Sequence, residues 1–74
     1  MMNLGDINVG EAATVSALKA SGGMRRRLLD IGLVENTRVE CVGRSPLGDP
    51  SAFLIRGAVV ALRSEDCKNI LVKR

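Results

Sequence analysis

The sequence predicts a mainly β fold, a small barrel of about five short strands with one inserted α-helix and a short C-terminal helical turn. Three observations predict it. Only one stretch, residues 24–33, carries apolar residues at helical spacing. Most of the rest alternates in short segments broken by Gly, Pro and Asn. The chain has 74 residues, 46% of them hydrophobic, which suits one domain (1–74) with a thin core. Closing the sheet into a barrel would remove edges that so small a sheet cannot easily cover.

Residues 4–11 read as a lead-in, with Leu4, Ile7 and Val9 tucked against the core and Gly10-Glu11 as a turn. Residues 12–20 form the first strand, in which Ala13, Val15 and Ala17 alternate with Thr14, Ser16 and Leu18. An Ala-rich helix competes on propensity, and Val15 between Thr14 and Ser16 tips the balance to strand. Ser21-Gly22-Gly23 leads into the helix, with Ser21 as its cap. Met24, Leu28 and Ile31 share one helix side, and Leu29 widens that stripe. Arg25, Arg26 and Arg27 take the polar arc, where Arg26 is spaced to pair with Asp30. Gly32 ends the helix in a left-handed cap, and Leu33 provides the hydrophobic contact of a Schellman motif.

After a turn at 34–37, with Asn36 at positive φ, residues 37–44 give the clearest strand. Val39 and Cys41 face one way and Arg38, Glu40 and Arg44 the other. Residues 45–50, with two prolines and a glycine, form a wide loop. The strand at 51–56 points Phe53 and Ile55 inward, Gly57 turns the chain, and the strand at 58–63 points Val60 and Leu62 inward. Ser64 caps a helical turn with acids in its first turn, and residues 70–72 close the fold with Ile70 and Val72 inward.

Composition excludes several chemistries. The chain contains no His, so imidazole acid–base catalysis and imidazole metal ligation are absent. No phosphate-binding glycine motif appears, and the eight carboxylates form no obvious catalytic pair. The sequence therefore reads as non-enzymatic. Cys41 and Cys67 lack zinc-site spacing and fall at core positions, so both read as small buried hydrophobes, with metal and cofactor sites unsupported. Few cysteines and no secretory segment point to a reducing cytoplasm, and no stretch could span a membrane.

Two surfaces stand out. The charge of +3 and the Arg25-Arg26-Arg27 run invite a nucleic-acid reading. Against it, the other basic residues are dispersed, and Phe53 alone offers no stacking platform. The second surface is Pro46-Leu47-Gly48-Asp49-Pro50, which places a Leu at a loop tip. Leu54 and Val59 fall on strand faces opposite Phe53, Ile55 and Val60, and could join Leu47 in an apolar patch rimmed by Arg56 and Arg63. Cover by the helix or the lead-in would remove that patch.

Several blocks together resemble the FeoA family, small cytosolic proteins of bacterial ferrous iron uptake. They are Arg26-Arg27-Leu28-Leu29-Asp30-Ile31-Gly32-Leu33, Thr37-Arg38-Val39, the Pro46-Leu47-Gly48-Asp49-Pro50 loop, Arg56-Gly57, Ala61-Leu62-Arg63 and Ile70-Leu71-Val72. The resemblance runs from about Leu4 to Val72. It departs at Glu35-Asn36, where Pro-Gly is usual, at Ile31, where Met is common, and at Cys67, which replaces a small residue. Ser51 and Ala58 are smaller than their places suggest.

The resemblance implies an SH3-like β-barrel. It implies an accessory or regulatory protein that docks on the cytosolic GTPase part of the FeoB membrane transporter. Ferrous iron is then cargo, no cofactor is carried, and the location is cytoplasmic, peripheral at the inner membrane through the transporter. Self-association is compatible with this. Partner contacts are expected at Pro46, Leu47, Asp49, Leu54, Val59, Arg25 and Arg26, with Arg27 on the same basic arc. The same fold occurs as the C-terminal domain of iron-dependent repressors. The alternative is thus a free-standing relative of that domain, or a small basic nucleic-acid-binding barrel. Without DNA-binding helices ahead of it, the chain reads as the free-standing form.

Overall fold

The computed structural model describes residues 2–74. Five strands form one antiparallel sheet: β1 (Ala12–Leu18), β2 (Arg38–Arg44), β3 (Ser51–Ile55), β4 (Ala58–Leu62) and β5 (Ile70–Lys73). Their order across the sheet is β4-β3-β2-β1-β5. Helix α1 (Gly22–Ile31) follows β1, and the short α2 (Ser64–Cys67) links β4 to β5. A 3-10 turn at Leu4–Asp6 precedes β1, capped by Asn3, whose side chain accepts from the Gly5 N–H.

The alternation read from the sequence sets the core. Val15, Val39, Cys41, Phe53, Ile55, Leu62, Ile70 and Val72 are buried in one cluster, which Leu4, Ile7, Leu28 and Leu33 complete. Pairing is regular between β3 and β4. Bulges interrupt it at Val15–Ala17 against β5 and at Cys41–Gly43 against β3. The second bulge adds Val42 to the outer face, where it is 40% exposed.

The expected closure into a barrel does not occur: the SH3-like sheet is open, with β4 and β5 at opposite edges. The connection through α2 carries the chain across to β1, so β5 pairs there instead of beside β4. The N-terminal segment covers the β5 edge, since the Val72 N–H donates to the Met2 carbonyl at 2.9 Å and Asn3 bridges Leu71.

Several local expectations change. Only Leu28 of α1 is fully buried, and Met24 and Leu29 are each 36% exposed, because the helix crosses a core wide enough for one deep anchor. The Arg26–Asp30 pair is not formed; Arg27 instead reaches Asp66 at 2.7 Å, where a less exposed carboxylate is available. Ser21 makes no side-chain cap bond. β1 stops at Leu18, two residues early, as its bulge turns Ala17 outward. Val9 is exposed and Val60 only half-buried.

Candidate docking surface

The loop between β2 and β3 is built by its own hydrogen bonds. The Gly48 N–H donates to the Ser45 carbonyl at 2.7 Å, which closes a β-turn with Pro46 and Leu47 at its corner. Pro46 suits the first corner position because its φ is already set. The Leu47 N–H donates to Ser45 Oγ at 3.3 Å, and the Ser45 N–H to the Pro50 carbonyl at 3.0 Å. Leu47 is left 92% exposed, by a wide margin the most exposed large hydrophobic residue among the described residues.

Asp49 already has a task within the chain. Its Oδ1 accepts the Ser64 N–H at 2.9 Å and its Oδ2 accepts the Ser64 hydroxyl at 3.4 Å. Asp49 therefore caps α2, the role the sequence had suggested for Ser64 itself.

Leu54 and Val59 are directly opposed across β3 and β4 on the outer face. Val59 is 65% exposed and Leu54 half-buried beside Glu40 of β2. Arg25 and Arg26 are exposed on α1, where they line a shallow concavity with Gly22, Leu29 and Asp30. A second groove, between α1 and β1, is lined by Leu18, Arg25, Leu29, Val34 and Glu35. The seven expected contact residues thus fall into three places: the loop, the outer face of the β3–β4 hairpin, and the helix.

Sequence reasoning missed two arginines that fix this surface. Arg56 Nε donates to the Gly32 carbonyl at 3.3 Å, and its Nη2 donates to Thr37 Oγ1 at 3.2 Å. It locks the β3–β4 hairpin onto the end of α1. Arg44 Nε donates to Ser51 Oγ at 2.9 Å and its Nη2 to the Ile7 carbonyl at 3.1 Å, tying the loop base to the lead-in. Strand alternation marked both as solvent-facing, and nothing in the pattern shows where a long arginine folds back.

Cys41 and Cys67 are buried and unpaired. Burial pushes the Cys67 thiol up to about 12, helped by the nearby negative charges of Asp66 and Asp49. Among the described residues, no three Cys, Asp or Glu side chains gather into a metal-holding group. None of their helices is long and apolar enough to cross a membrane.

The profile of the FeoA domain family matches residues 2–74. A Porphyromonas gingivalis fusion of Fe(2+) transport protein A with the Fe(2+) transporter FeoB is 32% identical over 72 residues. That match covers 97% of this chain, which spans 8% of the fusion protein's length. The FeoA structure from Chlorobium tepidum superposes with a TM-score of 0.90 at 32% identity, over 97% of this chain and 69% of that one. The zinc-complexed FeoA of Stenotrophomonas maltophilia, described as a procaryotic SH3 domain protein, gives 0.87 at 26% identity, over 99% and 91%. A manganese-dependent transcriptional repressor gives 0.85 at 25% identity, over 97% of this chain and 40% of that one.

Proposed function

The chain belongs to the FeoA family, and from that premise we propose that it acts in ferrous iron uptake as a non-enzymatic accessory protein docking on the cytosolic GTPase part of FeoB. The observation that carries this reading is the fusion relative, in which a domain similar to this whole chain shares one polypeptide with FeoB. Covalent linkage raises the effective concentration of two modules to about the millimolar range, a benefit only for modules that work together. Ferrous iron is then the transporter's cargo, and the protein works in the cytoplasm beside the membrane.

Contact centres on Leu47 with Pro46 at the loop corner, with Leu54 and Val59 as an apolar face and Arg25 and Arg26 as a basic flank. Asp49 contributes by holding the loop against Ser64. Burying a residue as exposed as Leu47 is worth about 1.5–3 kcal/mol. Leu47→Asp should therefore weaken binding to purified FeoB cytosolic domain at least tenfold while leaving the fold intact. Binding would be measured by calorimetry with GTP- and GDP-loaded partner. Unchanged affinity sinks the loop assignment, and no binding by the unaltered chain in either state sinks the docking reading.

The repressor similarity fits a free-standing relative of one domain of such a protein, and the net charge of +3 separately invites a second reading, a small basic nucleic-acid-binding barrel. It predicts binding that falls steeply with salt. Titration with short DNA and RNA at two salt concentrations tests it, and no binding at low salt removes it.

A further inference from the structure

The two edges of the sheet are treated differently. The β5 edge is covered by Met2 and Asn3. The β4 edge has no cover: beyond β3, no backbone hydrogen bond reaches β4 from the described residues. Ala58, Val59 and Ala61 are exposed. Natural proteins blunt open edges with charge, proline, bulges or a covering segment. β4 reads Ala-Val-Val-Ala-Leu in unbroken register with β3 and carries none of these devices.

The hairpin sets which groups are free. Arg56 and Gly57 hold φ of 49° and 84°, a two-residue turn of the I′ kind. Ile55 and Ala58 are then a hydrogen-bonded pair, so Ala58, Val60 and Leu62 turn their N–H and C=O toward β3. Val59 and Ala61 turn theirs outward. Beside this edge lies a concavity of about 350 Å³ lined by Arg27, Ile31, Ala61, Leu62, Arg63 and Glu65.

Charge decides the occupant. Exposed Arg56 and Arg63 stand just beyond the two ends of β4. In the concavity Arg27 is paired with Asp66, whereas Arg63 makes no ion pair among the described residues and so remains available to a partner's carboxylate. A second copy fits badly. Antiparallel self-pairing about Val60 sets Arg63 of one copy beside Gly57 and Arg56 of the other, at both ends. Such pairing over five residues also buries far less than the roughly 800 Å² per partner of a stable interface.

From these observations we infer that β4 is a strand-addition site for an extended segment of FeoB, about five residues long and mostly apolar, with acidic residues at its ends. This rests on the docking reading and says how the partner is held. Backbone bonds to Val59 and Ala61 supply affinity, apolar side chains meet Val59 and Leu54, and the flanking acids meet Arg56 and Arg63.

The test is amide hydrogen exchange on the ¹⁵N-labelled full chain, alone and with FeoB cytosolic domain. The Val59 and Ala61 amides should exchange freely in the chain alone and slow at least tenfold in the complex. Val59→Pro removes an outward N–H and the Val59 side chain but no bond to β3, and should weaken binding at least tenfold with the fold retained, where Val59→Ala, which keeps the N–H, weakens it less. Arg63→Glu should weaken it about fivefold, by a route that leaves the strand backbone alone. If the partner binds while both amides stay fast and Val59→Pro binds normally, the edge inference is overturned and docking survives. If the unaltered chain does not bind, both fall. Slowing of these amides with concentration in the chain alone would make the occupant a second copy and overturn the assignment to FeoB.

Discussion

Gly32 ends α1 at φ 109°, and its neighbourhood is as restrictive as its backbone. The Leu33 N–H donates to the Leu28 carbonyl at 3.1 Å and the Gly32 N–H to the Leu29 carbonyl at 2.9 Å, a Schellman motif. A Cβ added here would lie 2.9 Å from Arg56 Cδ, so Arg56 would have to shift, which strains its bonds to Gly32 and Thr37. Gly32→Ala should cost about 1–3 kcal/mol by urea denaturation, more than the roughly 1 kcal/mol of the left-handed conformation alone. Asn36, at φ 74°, occupies the comparable position in the next turn with open solvent around it. At Cys67, burial raises the folded-state pKa from an ordinary 9.0 to about 12. A raised thiol pKa gives stability that is full below about pH 9 and lost as pH climbs from there toward about 12. At pH 8, iodoacetamide should label Cys67 only at the rate of global unfolding, as followed by mass spectrometry. Fast labelling in the folded state would show that the site is open.

Elements depend on contacts that sequence spacing does not carry. α2 has four residues, too short to hold itself, and its first turn is completed by Asp49 from the preceding loop. Asp49→Ala should destabilise the protein by about 1 kcal/mol, the usual worth of a cap, in chemical denaturation. It should weaken docking less than Leu47→Asp does, because the Asp49 oxygens already face Ser64. The strands and their inward residues were legible because Val39 and Cys41 alternate with Arg38 and Glu40, and Phe53 and Ile55 are set between Ala52 and Arg56 around an outward Leu54; burial follows that period. α1 was legible at Leu28 and Gly32 and overread at Met24 and Leu29, since periodicity gives a stripe's direction but not the width of the core beneath it. At the candidate surface, a Leu between Pro and Gly signalled Leu47. The bulge that exposes Val42 and the fold-back of Arg56 depend on register and on a partner strand, neither of which is local to the sequence.

At the scale of the whole molecule, an open five-stranded sheet has two edges to protect, and this chain protects one. Closure was the natural expectation for so small a sheet, yet the link through α2 sends β5 to the far side of β1. Covering β5 then falls to Met2 and Asn3. Asn3 also caps the turn at Leu4–Asp6, with its N–H donating to Asp6 Oδ2 at 2.9 Å, which brings Leu4 and Ile7 into the core. Edge cover and core packing are therefore coupled through one residue. Removing residues 1–3 should cost the cap and the β5 pairing together, about 1–3 kcal/mol in urea denaturation. It should also expose a second edge, flanked by Lys73 and free of proline. The truncated chain should then elute as concentration-dependent oligomers in size-exclusion chromatography at concentrations where the full chain elutes at one unchanged volume. Weakened stability without association would mean that the N-terminal segment serves the core alone. Association without weakened stability would mean that it serves the edge alone.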